Sequence, residues 1–280
     1  MKRLIINGDD LGLTEGVNRG IIEAYRNGAL TSSTIMVNML AFDDAVKLVA
    51  ANSGLGVGVH LNILGGRSVS NPEELSEITD TKGAFFEKPC ALLKKAANNQ
   101  KALLQIEKEF RLQIQKAMEA GINVTHLDSH KHIHCYPKIM NIVIRLAREF
   151  KVNRVRYVNE KVILDSRIIL RRLPGLFILN LFSKSNLSKF SASGILHNDH
   201  FFGFLYTGLA NLSVYKRMLG AVEDGITEIM VHPGFCTEEL KNISSLATSR
   251  EDELKIITGR EIKEIIRDRG IQLINYGNLN

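Results

Sequence analysis

Arg3-Leu4-Ile5-Ile6-Asn7-Gly8-Asp9-Asp10 opens the chain with a short apolar run that ends in polar residues. This is the pattern of a buried strand whose C-terminal end carries two carboxylates. Val17, Ile21, Ile22 and Tyr25 then recur at helical spacing and Gly28 supplies a stop, so a helix follows the strand. Residues 34–37 predict a second strand and 43–51 a second helix. Gly56-Val57-Gly58-Val59-His60-Leu61 predicts a third strand, again ending in a residue able to do chemistry. Strands that alternate with helices in this way are expected to lie parallel, joined by crossover helices.

Further along, the pattern dissolves between 62 and 99 into Gly65-Gly66, Asn71-Pro72 and a charged stretch, a long insertion over one end of the sheet. Leu103, Ile106, Phe110, Ile114 and Ala117 mark the clearest helix, closed by Gly121. Residues 122–127 read as a strand leading into Asp128-Ser129-His130, Pro137 opens a helix through 147, and 152–158 return as a strand. Residues 162–210 show no clear pattern. A strand at 226–231 ends in His232-Pro233-Gly234, 251–269 read as a helix, and 271–275 as a last strand. The expectation is a single α/β domain over 1–280, a distorted (β/α) barrel of about seven parallel strands with insertions at about 63–99 and 160–210. Asp9, Asp10, His60, Asp128, His130 and His232 all fall at strand C-terminal ends, where the loops of such a barrel converge on ligands. The alternative is an open doubly wound sheet, with its site at a switch point in strand order.

Composition bounds the function. With 45% hydrophobic and 24% charged residues over 280 positions, the chain is expected to fold as a globule, which excludes a disordered tail, a collagen or a coiled coil. No run approaches the roughly 18 apolar residues of a spanning helix, and the N-terminal apolar stretch is too short for a signal peptide. Cys90, Cys135 and Cys236 are odd in number and lack CxxC spacing, which argues against a disulfide framework or a cysteine metal site and for a cytoplasmic protein. The net charge of +6 is uneven: 145–189 carries a local +8. Such a field suits an anionic partner or is simply a solvated face. No zinc finger, RNA-binding signature or aromatic-interleaved basic patch points to nucleic acid.

Five of the eight histidines fall in two segments, His60 in one and His126, His130, His132 and His134 in the other. One carboxylate and two imidazoles suit a divalent metal that keeps positions open for water and substrate. A second carboxylate beside them could serve as a base. Neighbours on a strand end point to opposite sides, so Asp9 and Asp10 suit two different roles. The plainer reading of Asp9-Asp10 is a helix cap or chain turn, and His132 and His134 read as surface or supporting histidines.

Six stretches carry a resemblance. Asn7-Gly8-Asp9-Asp10-Leu11-Gly12-Leu13, then Gly16-Val17-Asn18-Arg19-Gly20-Ile21-Ile22-Glu23-Ala24 with Thr31-Ser32-Ser33-Thr34, form the first motif region. Gly58-Val59-His60-Leu61-Asn62, Thr125-His126-Leu127-Asp128-Ser129-His130-Lys131-His132-Ile133-His134 and Glu228-Ile229-Met230-Val231-His232-Pro233-Gly234 follow in order. Together they resemble the YdjC-like carbohydrate deacetylases, which include chitooligosaccharide deacetylases and a hopanoid-associated branch. Gly8 and Leu11 stand where that family usually has Ala and Phe, and Lys131 where a histidine is common. Residues 66–100 and 160–195 match poorly.

The resemblance implies a hydrolase that removes N-acetyl groups from amino sugars or their oligomers. It implies Asp10, His60 and His130 as ligands of a divalent metal, Mg2+ by preference with Zn2+ as the alternative. It also implies Asp9 as general base and His232 as general acid. Asp128 is expected to fix an imidazole tautomer, and Arg156 to orient Asp9 or to be an ordinary strand-end residue. His126, His132 and His134 are expected to support the site or face substrate. Alternatives are a deacetylase of a lipid-linked amino sugar, a phosphoesterase, or a non-haem iron oxygenase, the last needing neither Asp9 nor His232. Within the basic segment, residues 168–182 are apolar and interrupted by Pro174-Gly175, which predicts two short pieces that find cover separately. They are either core or an apolar surface for a subunit contact or a lipid chain, and a homodimer is expected because two-fold assemblies are common.

Overall fold

The computed structural model describes residues 1–80, 82–163, 170–209 and 211–280. The elements run β1 (Lys2–Leu11), α1 (Glu15–Asn27), β2 (Ser32–Ile35), α2 (Phe42–Ala50), β3 (Gly56–Leu61), α3 (Pro89–Asn98), α4 (Gln100–Glu119), β4 (Val124–Ser129) and α5 (Pro137–Glu149). They continue with α6 (Leu173–Ser193), β5 (His200–Phe202), α7 (Leu212–Gly220), β6 (Gly225–Val231), α8 (Glu238–Ile243), α9 (Ala247–Thr258), α10 (Arg260–Asp268) and β7 (Gln272–Leu273). Gly259, with φ −62° and ψ 145°, separates α9 from α10 where the sequence pattern reads as one helix.

Every pairing between these strands is parallel, in the order β4-β3-β2-β1-β6-β5. The start of β1 takes β7 as neighbour (Arg3↔Gln272), and its end takes β2 (Asn7↔Ser32). The two edges of this curled sheet are linked by the stretch 154–160, which overlaps the segment expected as strand 152–158 and runs two residues past it. It makes single bridges instead of a continuous ladder: Val155 to Leu127 of β4, Arg154 to Leu196, and Glu160 to Phe201 of β5. The reason lies in Tyr157. Its N–H donates to Asn198 Oδ1 (2.8 Å) and its carbonyl accepts from Asn198 Nδ2 (2.7 Å), so a side chain takes the place of a neighbouring strand. The result is the distorted barrel that the βα alternation predicts.

Alternation along β1 separates two environments. Leu4 and Ile6 join the hydrophobic cluster that runs between strands and helices, from Leu4 to Ile271. Ile5, Asn7 and Asp9 form the alternate row, and Ile5 packs in a small second cluster with Ile226, Ile274 and Tyr276. That side of the barrel is largely polar, with Thr34, His126, Asp128, Arg156 and Glu228 all fully buried.

Of the pieces expected around Pro174-Gly175, Leu170–Arg172 form a 3-10 turn and the rest runs unbroken through Pro174-Gly175 as α6, 21 residues long. Pro174 sits in its first turn, where a missing N–H breaks no intrahelical bond. Phe177, Ile178 and Leu181 are exposed at 71%, 50% and 57%, so this face is not core; residues 168 and 169 lie outside the described residues. The basic segment does not form one field either. Arg156 is buried, Arg145 pairs with Glu107, Lys161 pairs with Glu223, and Arg172 donates to the carbonyls of Leu205 and Thr207. Among the described residues no helix is long and apolar enough to cross a membrane.

Candidate active site

The strand ends open into a cavity of about 1100 Å³ whose lining includes Asp9, Asp10, His60, His130, His132, His232 and Arg250. Strict alternation would send only one of Asp9 and Asp10 there. Asp10 has φ 71°, and the β1–β2 register shifts between Gly8 and Leu11, so the chain kinks and both carboxylates line the cavity. Aspartate tolerates this left-handed conformation better than most residues.

His60 projects from β3 between two sets of acids. Its Nδ1–H donates to Asp128 Oδ1 (2.7 Å) and lies 3.1 Å from Thr34 Oγ1. That bond fixes the ring so that Nε2 faces the cavity, 3.5 Å from Asp10 Oδ1 and 3.9 Å from Asp9 Oδ2. Burial alone would lower the pKa of His60, but Asp128, Asp9 and Asp10 together raise it to about 9. The pocket therefore favours a cation at this point.

His130 closes the set from the end of β4, with Nδ1 3.3 Å from Asp10 Oδ1. The chain after it reverses through two left-handed residues, Lys131 (φ 52°) and His132 (φ 55°). The turn leaves His132 on the cavity, beside the rings of Phe201 and Phe204, and tucks His134 behind the site. There His134 Nδ1 meets Ser129 Oγ (2.6 Å) and Nε2 meets the Arg156 carbonyl (3.2 Å). His126 is further from the chemistry: buried in the barrel, it stacks on Tyr276 with ring centroids 3.7 Å apart. Burial pushes His126 down to about 3 and His134 down to about 4, so both are neutral structural imidazoles at neutral pH.

Asp9 is held differently from Asp10. Arg156, fully buried, donates from Nη2 to Asp9 Oδ1 (2.7 Å) and from Nη1 to Asp9 Oδ2 (2.9 Å), and Asn7 Nδ2 adds a bond to Oδ1 (2.9 Å). The same guanidinium contacts Asp128 Oδ2 (2.6 Å) and Glu228 Oε1 (2.7 Å), and Tyr276 donates its hydroxyl to Glu228. Burial would raise the Asp9 carboxyl, but Arg156 holds it well below the usual carboxylate range. Asp9 is thus an ionised acceptor pinned at the rim of the site, and Arg156 is the residue that pins it.

Two groups of side chains have spacing suited to a metal ion, Asp10-His60-His130 and Asp9-His60-Asp128. In the second, the His60–Asp128 hydrogen bond and the Arg156 guanidinium already occupy the facing atoms. In the first, Asp10 Oδ1 is buried and accepts no aligned hydrogen bond, while two imidazole nitrogens converge on it. Carboxylate oxygen with two imidazoles is a fitting donor set for a divalent cation, so this group is where one fits.

The sequence reading expects a helix here but misses the part that Arg250 and Glu253 of α9 play at the site. Arg250, 1% exposed, donates from Nη2 to Asp10 Oδ2, and Glu253 accepts the His232 N–H at Oε2 (2.6 Å) and the Tyr215 hydroxyl (3.2 Å). A signal was present: Arg250 and Glu253 share a buried helical stripe with Ala247, Leu254 and Ile257, an unusual place for charge. His232 itself, 8% exposed, follows β6, and Gly234 two residues on packs against α1. A Cβ on Gly20 would lie 2.4 Å from Gly234 Cα, so only glycine lets α1 approach the His232-Pro233-Gly234 turn this closely.

Comparison with known proteins shows the family and the fold. The family model described as YdjC-like protein matches residues 3–268. A carbohydrate deacetylase of Brevibacillus brevis is 36% identical over 277 residues, covering 99% of each chain. One of Thermoanaerobacter pseudethanolicus is 33% identical over 279 residues, covering all of both. Among solved structures, a candidate cellobiose-phosphate cleavage protein of Enterococcus faecalis V583 superposes with a TM-score of 0.80 at 26% identity, covering 98% of this chain and 97% of the other.

Proposed function

Because the chain belongs to the YdjC-like family, we propose that this centre is that of a carbohydrate deacetylase acting with one divalent metal. The observation that carries the reading is the division of labour between adjacent carboxylates. Asp10 leaves a bare oxygen facing His60 and His130, whereas Asp9 is pinned to Arg156 and kept ionised beside them.

Asp10, His60 and His130 would hold the ion, which when bound supplies acidified water and a polarised acetyl carbonyl. The chain's own groups do the rest. Asp9 would accept the proton of the attacking water and, as a weak base, release it to solvent, from which His232 regains the proton it gives up. His232 delivers a proton to the sugar nitrogen as the amide C–N bond breaks. The cavity of about 1100 Å³ exceeds what one sugar ring fills, which supports an N-acetylated oligomer of the chitooligosaccharide type as substrate. Mg2+ is the ion we assign, on the family resemblance. The free cysteines Cys90, Cys135 and Cys236 support action in the cytoplasm, and the exposed apolar face of α6 supports a homodimer.

The test is acetate release from N-acetylglucosamine and short chitin oligomers by protein with and without added Mg2+ or Zn2+. Asp9→Asn should retain metal and lose most activity, because the amide is nearly isosteric but takes no proton. Acetate release at the wild-type rate by Asp9→Asn rejects Asp9 as base. No release by the wild-type protein from any of these sugars, with inorganic phosphate liberated from phosphate esters, favours the phosphoesterase alternative.

A further inference from the structure

Gln105, Glu109 and Gln113 lie four residues apart on α4 and are all buried. They form a polar stripe beside the apolar one of Ile106, Phe110 and Ile114. Polar side chains are buried only where they find partners, and here the partners are backbone groups of the insertion after β3. Gln113 Oε1 accepts the N–H of Asn62 (2.9 Å), and its Nε2 donates to the carbonyl of the same residue (2.6 Å). Glu109 accepts the N–H groups of Val69 (2.9 Å) and Ser70 (2.9 Å), together with Gln113 Nε2 (2.8 Å). Gln105 accepts the N–H of Glu77 (2.8 Å). Most of this segment has no strand partner, so the stripe stands in for one.

The opposite side of the same segment is cavity wall. Asn62, Leu64, Gly65 and Arg67 line the cavity, and Gly65 and Gly66 take left-handed backbone (φ 72° and 75°). Asn62 further ties the wall together, accepting Leu64 N–H at Oδ1 (2.9 Å) and donating from Nδ2 to the Gly65 carbonyl (3.2 Å). None of the hydrogen bonds of Glu109 or Gln113 reaches Asp9, Asp10, His130 or His232.

Resting on the deacetylase reading, we propose that Glu109 and Gln113 are positioning residues for substrate. Gln113 fixes Asn62 and Glu109 fixes Val69 and Ser70, so together they brace from its two ends the 62–67 wall against which the sugar, rather than its acetyl group, is held. Substrate that meets a fixed wall need not order it on binding, and a loosened wall takes that ordering out of affinity. The chemistry at the strand ends is left as it was.

The experiment measures kcat and KM for acetate release from N,N′-diacetylchitobiose, metal content, and amide hydrogen exchange in wild type, Glu109→Gln, Gln113→Ala and Gln105→Ala. In Glu109→Gln and Gln113→Ala, KM should rise by about tenfold with kcat within about twofold. Metal content should stay at wild-type level. Amides of Asn62, Val69 and Ser70 should exchange faster while those of β1 and β6 do not. Gln105 moors Glu77, which lies well beyond Arg67 where this stretch of wall ends, so Gln105→Ala should lower thermal stability without changing KM. Unchanged KM in folded variants, a fall in kcat at constant KM, or a KM rise equally large in Gln105→Ala overturns the proposal. So does failure of both Glu109→Gln and Gln113→Ala to fold while Gln105→Ala folds, since the stripe would then be structural. If wild type binds the disaccharide without releasing acetate, the deacetylase reading fails alone. The wall is then judged by the dissociation constants of the same variants and by the exchange data.

Discussion

Arg250 Nη2 donates to Asp10 Oδ2, from a helix 240 residues further along the chain, and so leaves Asp10 Oδ1 as a buried oxygen facing His60 and His130. The guanidinium fixes which of two equivalent carboxylate oxygens is free. It also keeps Asp10 ionised: burial would raise its pKa, but Arg250 and His130 hold it well below the usual range. Replacing Arg250 with Met should therefore weaken metal affinity by about 10–100-fold, the range for losing a partner that orients a ligand. Titration against a chromophoric chelator measures this. An unchanged affinity would show that Asp10 is oriented by its own backbone kink.

His232→Ala should lower turnover by roughly 10²–10⁴-fold on an N-acetyl sugar. Acetyl esters with a good leaving group need no proton delivered to the departing atom, so on such esters the variant should recover most of its rate. Equal losses on amide and activated ester would place His232 in binding rather than in proton delivery.

Glu160 gives the stability a definite slope with pH. Burial pushes its carboxyl up to about 7, even though it accepts the N–H groups of Gly203 and Leu205. The folded state thus binds this proton more tightly than the unfolded chain does. The resulting stabilisation is full below about pH 4.5 and is lost as pH rises through 7. Glu160→Gln cannot titrate, so the stability difference between variant and wild type should shift by about 2–3 kcal/mol in the variant's favour from pH 5 to pH 8. Urea unfolding at several pH values measures the difference. Glu228, also pushed up to about 7, keeps part of the slope in both proteins and cancels in the comparison. A pH-independent difference would mean that the backbone N–H groups hold Glu160 ionised.

Phe177 and Leu181 face outward on α6, so changing both to Ser removes little buried surface and should shift the melting temperature by no more than a few degrees. If α6 forms the contact of a homodimer, light scattering should show the mass halved. Wild-type mass in the variant removes α6 from any subunit contact.

The βα alternation, the strand-end positions of Asp9, Asp10, His60, Asp128, His130 and His232, and the α4 heptad-like apolar spacing were legible in the sequence, because each depends on local periodicity. The irregular strand near Arg156 was not. Its apolar pattern reads as β, but the Asn198 amide takes the hydrogen bonds that a neighbouring strand would have made. Likewise Pro174 reads as a break within an apolar run, and only its position in the first turn of α6 makes it harmless.

What the sequence determined by itself was the end of the barrel at which Asp9, Asp10, His60, Asp128, His130 and His232 gather, since strand direction and residue order fix it; the contacts of Arg250 and Glu253 were not legible. Tertiary structure alone decided how the two adjacent carboxylates are held. Arg156 reaches Asp9 from 147 positions away and Arg250 reaches Asp10 from 240, and these contacts leave one adjacent carboxylate bound at both oxygens and the other with one oxygen bare. The left-handed backbone at Asp10 then turns both toward one cavity. Such contacts join helices and strands that no local pattern relates, because the energy of a buried ion pair depends on distance in space and on exclusion of water, not on separation along the chain.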